Sequence, residues 1–326
     1  MPETTQATIN VKLKVKRFDP ADAGGKTWWQ EYEVDIHPDS TVLDSLIEVR
    51  EQEDGTLAMR CACRASICGS CGMKVNGSAK LVCKTRVVDV APNGEQLIIE
   101  PMGNQHVVKD LVVSLDTFFN QINRVTPYLQ PSFVPEQGEY TASNESMENL
   151  LTSMNCIMCG CCVSDCTVLE VDSNFIGPAA LAKAWRFTED PRDSKRDERL
   201  KALNDEDGGM WDCTRCMKCV DVCPKGVAPM DRIMEMREAA IAAGNTNTSG
   251  YRHTESFYNS VKKNGRLDET RLAIDSAGWT NIPRLLDLAP IGIAAMRKGK
   301  LPPLMPHKSE DHKKVRDLYK SVEDES

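Results

Sequence analysis

The sequence predicts an α+β protein built in three parts: a small sheet domain, a helical cysteine-rich region and a helical tail. Two observations carry this. Ile9, Val11, Leu13 and Val15 alternate with Asn10, Lys12 and Lys14, and Tyr32, Val34 and Ile36 repeat the period of two, as strands with one wet face do. Further on, Cys156-Ile-Met-Cys159-Gly-Cys161-Cys162-Val-Ser-Asp-Cys166 and Cys213-Thr-Arg-Cys216-Met-Lys-Cys219-Val-Asp-Val-Cys223-Pro224 lie among stretches of helical periodicity.

Taken in order, the two strands are separated by a turn at Asp19-Pro20 and Gly24-Gly25. Val42, Leu43, Leu46 and Ile47 then recur at helical spacing behind Ser40 and Thr41, either of which can cap the helix. Strand, strand, helix opens a small ubiquitin-like sheet, whose last strand is expected at Leu97 to Glu100. A helix is expected next, with Val107, Val108, Leu111, Val112, Leu115, Phe118, Phe119 and Ile122 as one apolar stripe. Pro127, Pro131 and Pro135 mark an extended linker, and Gly177-Pro178 opens a helix through Leu181 and Trp185. The charge run from Asp190 to Gly209 reads as a solvated face. A helix from Pro229, stopping at Gly244, would turn Met230, Ile233, Met234 and Ile241 inward. In the tail, Ile282 to Met296 is apolar on one side and is followed by Arg297-Lys-Gly-Lys300. It is expected to dock on its own domain or a partner subunit, the rival reading being a basic foot on anionic lipid. Leu301-Pro-Pro-Leu-Met-Pro306 is expected to be extended.

The totals narrow the function. With 326 residues, 41% hydrophobic and 27% charged, the chain has room for two or three domains and needs no disulfides to make a core. Its fourteen cysteines, with no charged-then-apolar leader after Met1-Pro-Glu-Thr-Thr5, point to a reducing compartment and to thiols serving as metal ligands. No run approaches the ~20 apolar residues of a spanning helix. A net charge of −8 with 6% aromatic residues gives no footprint for nucleic acid, and that partner is excluded.

Both long runs contain Cys-x2-Cys-x2-Cys-x3-Cys, the spacing with which one loop wraps a cubane cluster with three thiolates and lends its fourth to another. Two such runs close two 4Fe-4S sites reciprocally. Zinc needs four ligands and has no use for eight at this periodicity. Earlier, Cys63-x4-Cys68-x2-Cys71 has the plant-type 2Fe-2S spacing, and Cys83 is the candidate for the fourth thiolate. Gly69 and Gly72 suit a loop that turns its N–H groups toward a cluster. Cys61 is surplus and reads as a bystander.

A 2Fe-2S domain followed by a helical two-cubane domain resembles the iron-sulfur subunit of succinate dehydrogenase and fumarate reductase. The resemblance covers about residues 9 to 243. It is carried by Arg17-Phe-Asp-Pro20, Cys63-Arg-Ala-Ser-Ile-Cys68-Gly-Ser-Cys71-Gly72, Val108-Lys-Asp-Leu-Val112, Pro127-Tyr-Leu129, Gly177-Pro-Ala179 and Cys223-Pro-Lys-Gly226. It implies a β-grasp 2Fe-2S ferredoxin-like domain over 1–105, an all-α two-cubane ferredoxin-like domain over 106–243 and a helical extension over 244–326. It implies a flavoprotein partner that holds FAD and oxidises succinate, a membrane-anchor subunit, and quinone near the distal cluster. This chain would bind neither succinate nor FAD, and would sit peripherally on the cytoplasmic side of the cell membrane. Cys63, Cys68, Cys71 and Cys83 would hold the 2Fe-2S cluster nearest FAD. Cys156, Cys159, Cys162 and Cys223 would hold the middle 4Fe-4S cluster, and Cys166, Cys213 and Cys219 the distal one. Cys161 is not expected to bind iron.

Three departures from the family pattern stand out. Thr167, not proline, follows Cys166; Val168-Leu-Glu-Val171 lacks the tryptophan of the usual quinone pocket; and Cys216 fills a position that is not a ligand in many relatives. Cys216 therefore predicts a complete 4Fe-4S distal cluster, the alternative being 3Fe-4S with Cys216 turned away. The tail, from Met296 through Pro302-Pro303 and His307-Lys308 to Val315-Arg-Asp-Leu-Tyr319, resembles the end of subunits that pair with heterodisulfide-reductase-type partners. The leading function is that of the electron-transfer subunit of succinate dehydrogenase. Fumarate reduction by the same kind of complex is its rival, and a free multi-cluster ferredoxin the alternative of another class.

Overall fold

The structure is a computed structural model that describes residues 8–22, 24–136, 138–204, 207–303 and 307–325. It forms two compact units, one running to Leu203 and resuming from Asp207 to Ala239, the other taking the chain from Ala240 onward. Residues 1–7, where the absence of a leader was expected, lie outside the described residues.

The first unit begins with β1 (Ile9–Asp19) and β2 (Lys26–Ile36), paired antiparallel from Ile9 opposite Ile36 to Asp19 opposite Lys26. Helix α1 (Val42–Glu48) starts at Thr41, not Ser40. The Thr41 hydroxyl accepts the Asp44 N–H while the Asp44 carboxylate accepts the Thr41 N–H, so two otherwise orphaned donors are satisfied. Strands β3 (Gly72–Val75) and β4 (Ser78–Leu81), one-turn α2 (Val87–Val90) and β5 (Leu97–Glu100) complete a five-stranded sheet of order β2-β1-β5-β3-β4. Strand β5 lies parallel to β1, the other pairs antiparallel. Leu13, Val15, Leu43, Leu46, Met73, Leu97 and Ile99 fill one core between sheet and helix, each contributing about 1.5–3 kcal/mol by leaving water.

The helix expected from Val107 to Ile122 is two structures. Val107–Lys109 (β6) and Val112–Val113 (β7) form a hairpin, and only Asp116–Asn123 (α3) is helical. The run Val-Val-Lys-Asp-Leu-Val-Val is rich in β-branched residues, and Asp110 takes φ 47°, which ends any helix there. Asp110 does so because its carboxylate is buried as an acceptor. Oδ1 receives Arg17 Nε at 2.8 Å and the Phe18 N–H at 3.1 Å, and Oδ2 receives the Ala58 N–H at 2.9 Å. Arg17 also donates to Asp54 and Tyr32, both at 2.6 Å, and to Thr56 at 2.9 Å. Burial works against the Arg17 charge, but Asp110 and Asp54 outweigh it and raise its pKa.

The helical part of the unit comprises α4 (Asn144–Met154), α5 (Cys161–Ser164), α6 (Thr167–Val171), α7 (Pro178–Thr188), α8 (Arg196–Leu203), α9 (Lys218–Asp221) and α10 (Pro229–Ala242). The charge run after Asp190 is not a plain solvated face. Asp190 is buried against Arg192 at 2.6 Å, and buried Arg199 pairs with Asp193 at 2.9 Å. Arg199 also donates to the carbonyls of Val125, Thr126 and Tyr128, so the proline-marked linker is pinned. Within that run 205–206 lie outside the described residues. Helix α10 buries Ile233, Met236 and Arg237, whereas Ile241, expected inside, is exposed.

The second unit holds α11 (Ser249–Asn264), α12 (Glu269–Ala277), α13 (Ile282–Arg297) and α14 (His312–Glu325). Helix α13 buries no residue: Ile282, Leu286, Ile291, Ile293 and Met296 are all exposed. The extended stretch expected after it is without helix or strand at Leu301–Pro303; 304–306 lie outside the described residues. Among the described residues no helix is long and apolar enough to cross a membrane.

Asp110→Ala leaves the Arg17 guanidinium buried beside a gap, and a broken buried pair costs about 3–5 kcal/mol. The denaturant midpoint of the full chain, followed by its visible absorbance, is expected to fall accordingly; an unchanged midpoint would show that the pair is not holding the domain. Asp54 gives the same network an acid limit. Burial disfavours its charge, but bonds from Thr56, Tyr32 and Arg17 hold its carboxyl well below the usual range. A depressed carboxylate stabilises fully above its unfolded value of about 4, and the contribution is lost as pH falls through the folded one.

Candidate metal centres

The two long cysteine runs fold alike. Met158 (φ 58°) and Gly160 (φ 79°) flank Cys159 in left-handed conformations, and Arg215 (φ 59°) and Met217 (φ 67°) flank Cys216 in the same way. Each loop then enters a one-turn helix, α5 or α9, which carries Cys162 or Cys219 and ends just before Cys166 or Cys223. For a residue with a side chain a left-handed conformation costs roughly 1–2 kcal/mol, so three such positions mark a backbone held by something other than its own preference. Sequence spacing located these runs but not their left-handed residues; only the equal spacing could have suggested that one is a copy of the other.

The cysteines lie near one another in three groups. The thiols of Cys71 and Cys83 hydrogen-bond each other, and Cys71 also lies within the field of Cys68. Cys156 lies within the field of Cys159 and Cys223, and Cys162 within that of all three. Cys219 has Cys213, Cys216 and Cys166 for neighbours. Burial pushes the Cys71 and Cys219 thiols up to about 12, whereas Ser70 leads the hydrogen bonds that bring Cys68 down to about 6. Cys161 lies buried with its thiol on Cys159, which is brought down to about 7, chiefly by that bond. Cys61 packs on the sheet core. Among the described residues no three His, Cys, Asp or Glu side chains converge as around one bound ion; ligands of a multi-atom cluster stand further apart.

The surroundings fit iron-sulfur clusters. Cys63 Sγ accepts the N–H groups of Ala65, Ile67 and Cys68, each at 3.3 Å, in a loop bent by left-handed Arg64, Ser66 and Gly69. Backbone donors aimed at one sulfur suit a group whose sulfurs carry negative charge, and the buried Ser66 hydroxyl there has no partner among the described residues. Cys156, Cys159, Cys162 and Cys223 line one cavity with Phe118, Ile157, Ala179, Ala182 and Val227, an almost wholly apolar shell. At the third group, buried Arg237 donates to the carbonyls of Met210 and Cys213 and lies 4.9 Å from the Trp211 ring centroid. Burial pushes its pKa down to about 10. Cys216 lies at the surface, and its sulfur accepts the Thr167 hydroxyl at 3.4 Å.

The first two groups are pressed together. A Cβ on Gly69 would stand 2.8 Å from Cys159 Cβ and 2.9 Å from its Cα, so the two loops touch through a residue with no side chain. Asn104 Nδ2 ties the sheet part to the first long run through the carbonyls of Val163, Ser164 and Cys166.

Three cysteine groups, one held by a sheet domain and two by a helical one, define a multicentre iron-sulfur protein. Known proteins agree. Residues 12–120 match the 2Fe-2S iron-sulfur cluster binding domain and 152–227 the 4Fe-4S dicluster domain. The chain is 30% identical to the 8-methylmenaquinol:fumarate reductase iron-sulfur subunit of Wolinella succinogenes, over 96% of this chain and 98% of that one. It is 37% identical to the fumarate reductase iron-sulfur subunit of Mycobacterium tuberculosis, over 71% and 92%. It is 33% identical to the mitochondrial succinate dehydrogenase [ubiquinone] iron-sulfur subunit 3 of Arabidopsis thaliana, over 70% and 74%. A solved chain of the Mycobacterium smegmatis Sdh1 complex in the apo form superimposes with TM-score 0.66 at 26% identity, covering 74% of this chain and 99% of that one. The chain belongs to the iron-sulfur subunits of the succinate dehydrogenase and fumarate reductase family, and is thus an oxidoreductase subunit with 2Fe-2S and 4Fe-4S domains.

Gly69→Ala must adopt φ 73° with a methyl against Cys159, so the two loops separate and the backbone strains by about 1–3 kcal/mol. Electron transfer from the 2Fe-2S to the 4Fe-4S centre is expected to slow, read by rapid-freeze EPR after reduction of the assembled complex. A rate equal to wild type would show that this contact does not set the spacing.

Proposed function

We propose that the chain passes electrons singly between the FAD of a flavoprotein partner and a quinone at a membrane-anchor subunit, as the iron-sulfur subunit of a succinate dehydrogenase. Flavin receives two electrons from succinate and each cluster carries one, so the relay converts a pair into single steps. The observation that carries the reading is the succession of the cysteine groups, the first two in contact and the third close by the second. The Cys63 loop meets Cys159 through Gly69, and Cys162 lies within the field of both Cys159 and Cys219.

In this reading Cys63, Cys68, Cys71 and Cys83 hold the 2Fe-2S cluster. Cys156, Cys159, Cys162 and Cys223 hold the middle 4Fe-4S cluster, and Cys166, Cys213, Cys216 and Cys219 a complete 4Fe-4S distal cluster. The matched backbone of the two runs supports Cys216, which takes the place in its loop that Cys159 takes in the other. A four-iron cluster with four thiolates holds an added electron less readily than a three-iron cluster with three, so the change of cluster type lowers the distal potential. The sheet order, with α1 in its core, supports a β-grasp domain over 1–105. The helical cluster domain covers 106–243 and the extension 244–326. The chain sits peripherally on the cytoplasmic side of the membrane, held through its partners.

Fumarate reduction is the second reading. It is favoured by the Wolinella succinogenes relative, whose match over 96% of this chain takes in the tail.

The complex purified without oxygen from membranes is expected to contain a flavoprotein, and after mild oxidation to show at most a trace three-iron EPR signal. Cys216→Ala should convert the distal centre to a three-iron cluster at about one per chain. A full three-iron signal before substitution, unchanged after it, would remove Cys216 from the ligands.

A further inference from the structure

The matched runs allow the two cubane sites to be compared atom by atom within one molecule. The last cysteine of each run leaves its loop for the other site, and the residue after it goes along. For Cys223 that residue is Pro224, which lines the cavity of Cys159 and has neither an N–H nor a hydroxyl to give. For Cys166 it is Thr167, whose Oγ1–H points at Cys216 Sγ from 3.4 Å, within hydrogen-bond range of a sulfur acceptor. The Thr167 and Lys218 amides face the same sulfur. Loops with the same backbone thus differ in what faces the thiolate of their middle cysteine: at Cys216 a hydroxyl, at Cys159 the weaker-donating thiol of Cys161 with a proline ring nearby.

A hydrogen bond to a cluster sulfur favours the form with more negative charge, which is the reduced one. We propose that Thr167 raises the redox potential of the distal centre, and so draws electrons outward from the middle centre, by donating its hydroxyl hydrogen to Cys216. This rests on the reading of Cys216 as a ligand. One electron arrives and one leaves; no bond forms or breaks, and the proton stays on Thr167 Oγ1. The bond partly offsets the lower potential of a four-iron cluster, so the chain keeps a complete cluster without making its last step steeply uphill.

Both groups lie at the surface, so water could replace a deleted hydroxyl. Thr167→Val avoids this, because its second methyl occupies the place of the hydroxyl. The test is a redox titration of the purified complex under anaerobic conditions, following the distal centre by EPR in wild type, Thr167→Val and Thr167→Ser. Thr167→Val is expected to shift the distal potential negative and leave the middle and 2Fe-2S potentials in place, while Thr167→Ser, which keeps the donor, stays near wild type. An unshifted distal potential in Thr167→Val, with a four-iron cluster still present, overturns the proposal and leaves Cys216 a ligand. Equal shifts in the Val and Ser variants also overturn it, since packing and not donation would then be responsible. A distal centre that proves three-iron in fresh wild type and indifferent to Cys216→Ala overturns the ligand reading itself, and with it this one.

Discussion

Electrons cross protein by tunnelling, whose rate decays steeply with distance, so a relay needs its stations closely spaced, and here the loops of the first two meet at a glycine hydrogen. Gly69 faces the Cα and Cβ of Cys159 at distances no side chain could share. Several bonds hold that approach. Asn104 gathers three carbonyls of the Val163–Cys166 segment, the Gly103 N–H goes to Ser164 Oγ at 3.0 Å, and the Asp165 carboxylate receives the Ala79 N–H at 2.9 Å. Gly103 is as crowded as Gly69, since a Cβ there would stand 2.6 Å from the Ser164 carbonyl oxygen. Sheet and helical parts are thus closed on each other by backbone, with side chains as clasps.

Around this seam the chain tolerates what an ordinary core avoids. Buried thiols, left-handed Met and Arg residues and a buried guanidinium on the Cys213 carbonyl each cost stability in isolation. They suit a site whose ligands must face inward as thiolates, and whose bound clusters return folding energy, as metal sites generally do. Away from the seam, order comes from buried pairs. Arg17 with Asp110 binds the first strand to the β6–β7 turn, and Arg199 with Asp193 fastens the proline-rich segment.

Three of the stretches by which the chain resembles its family have structural reasons in those pairs. Arg17-Phe-Asp-Pro20 and Val108-Lys-Asp-Leu-Val112 supply the two ends of one buried ion pair. Pro127-Tyr-Leu129 offers the Tyr128 carbonyl to Arg199. Residues distant in sequence thus carry a shared constraint, which gives the likeness physical content beyond its cysteines.

The sequence by itself determined what local rules govern. It set the first strands through their period of two, the helix behind Ser40 and Thr41, the last strand at Leu97–Glu100, the helix stops and the cysteine spacing, since each depends on neighbours a few residues away. Tertiary structure decided the rest. Val107 to Ile122 has a helical stripe on paper, yet Asp110 must turn to meet Arg17, and the stripe breaks into hairpin and helix. The charges after Asp190 look soluble, yet Arg192, Arg199 and Asp193 neutralise one another with Asp190 under cover. Nor could spacing show that Gly69 is kept bare by Cys159, or that Thr167 faces Cys216. In each case the deciding partner lies dozens of residues away in sequence or is buried by the fold, and a local pattern carries no record of what the chain will bring beside it.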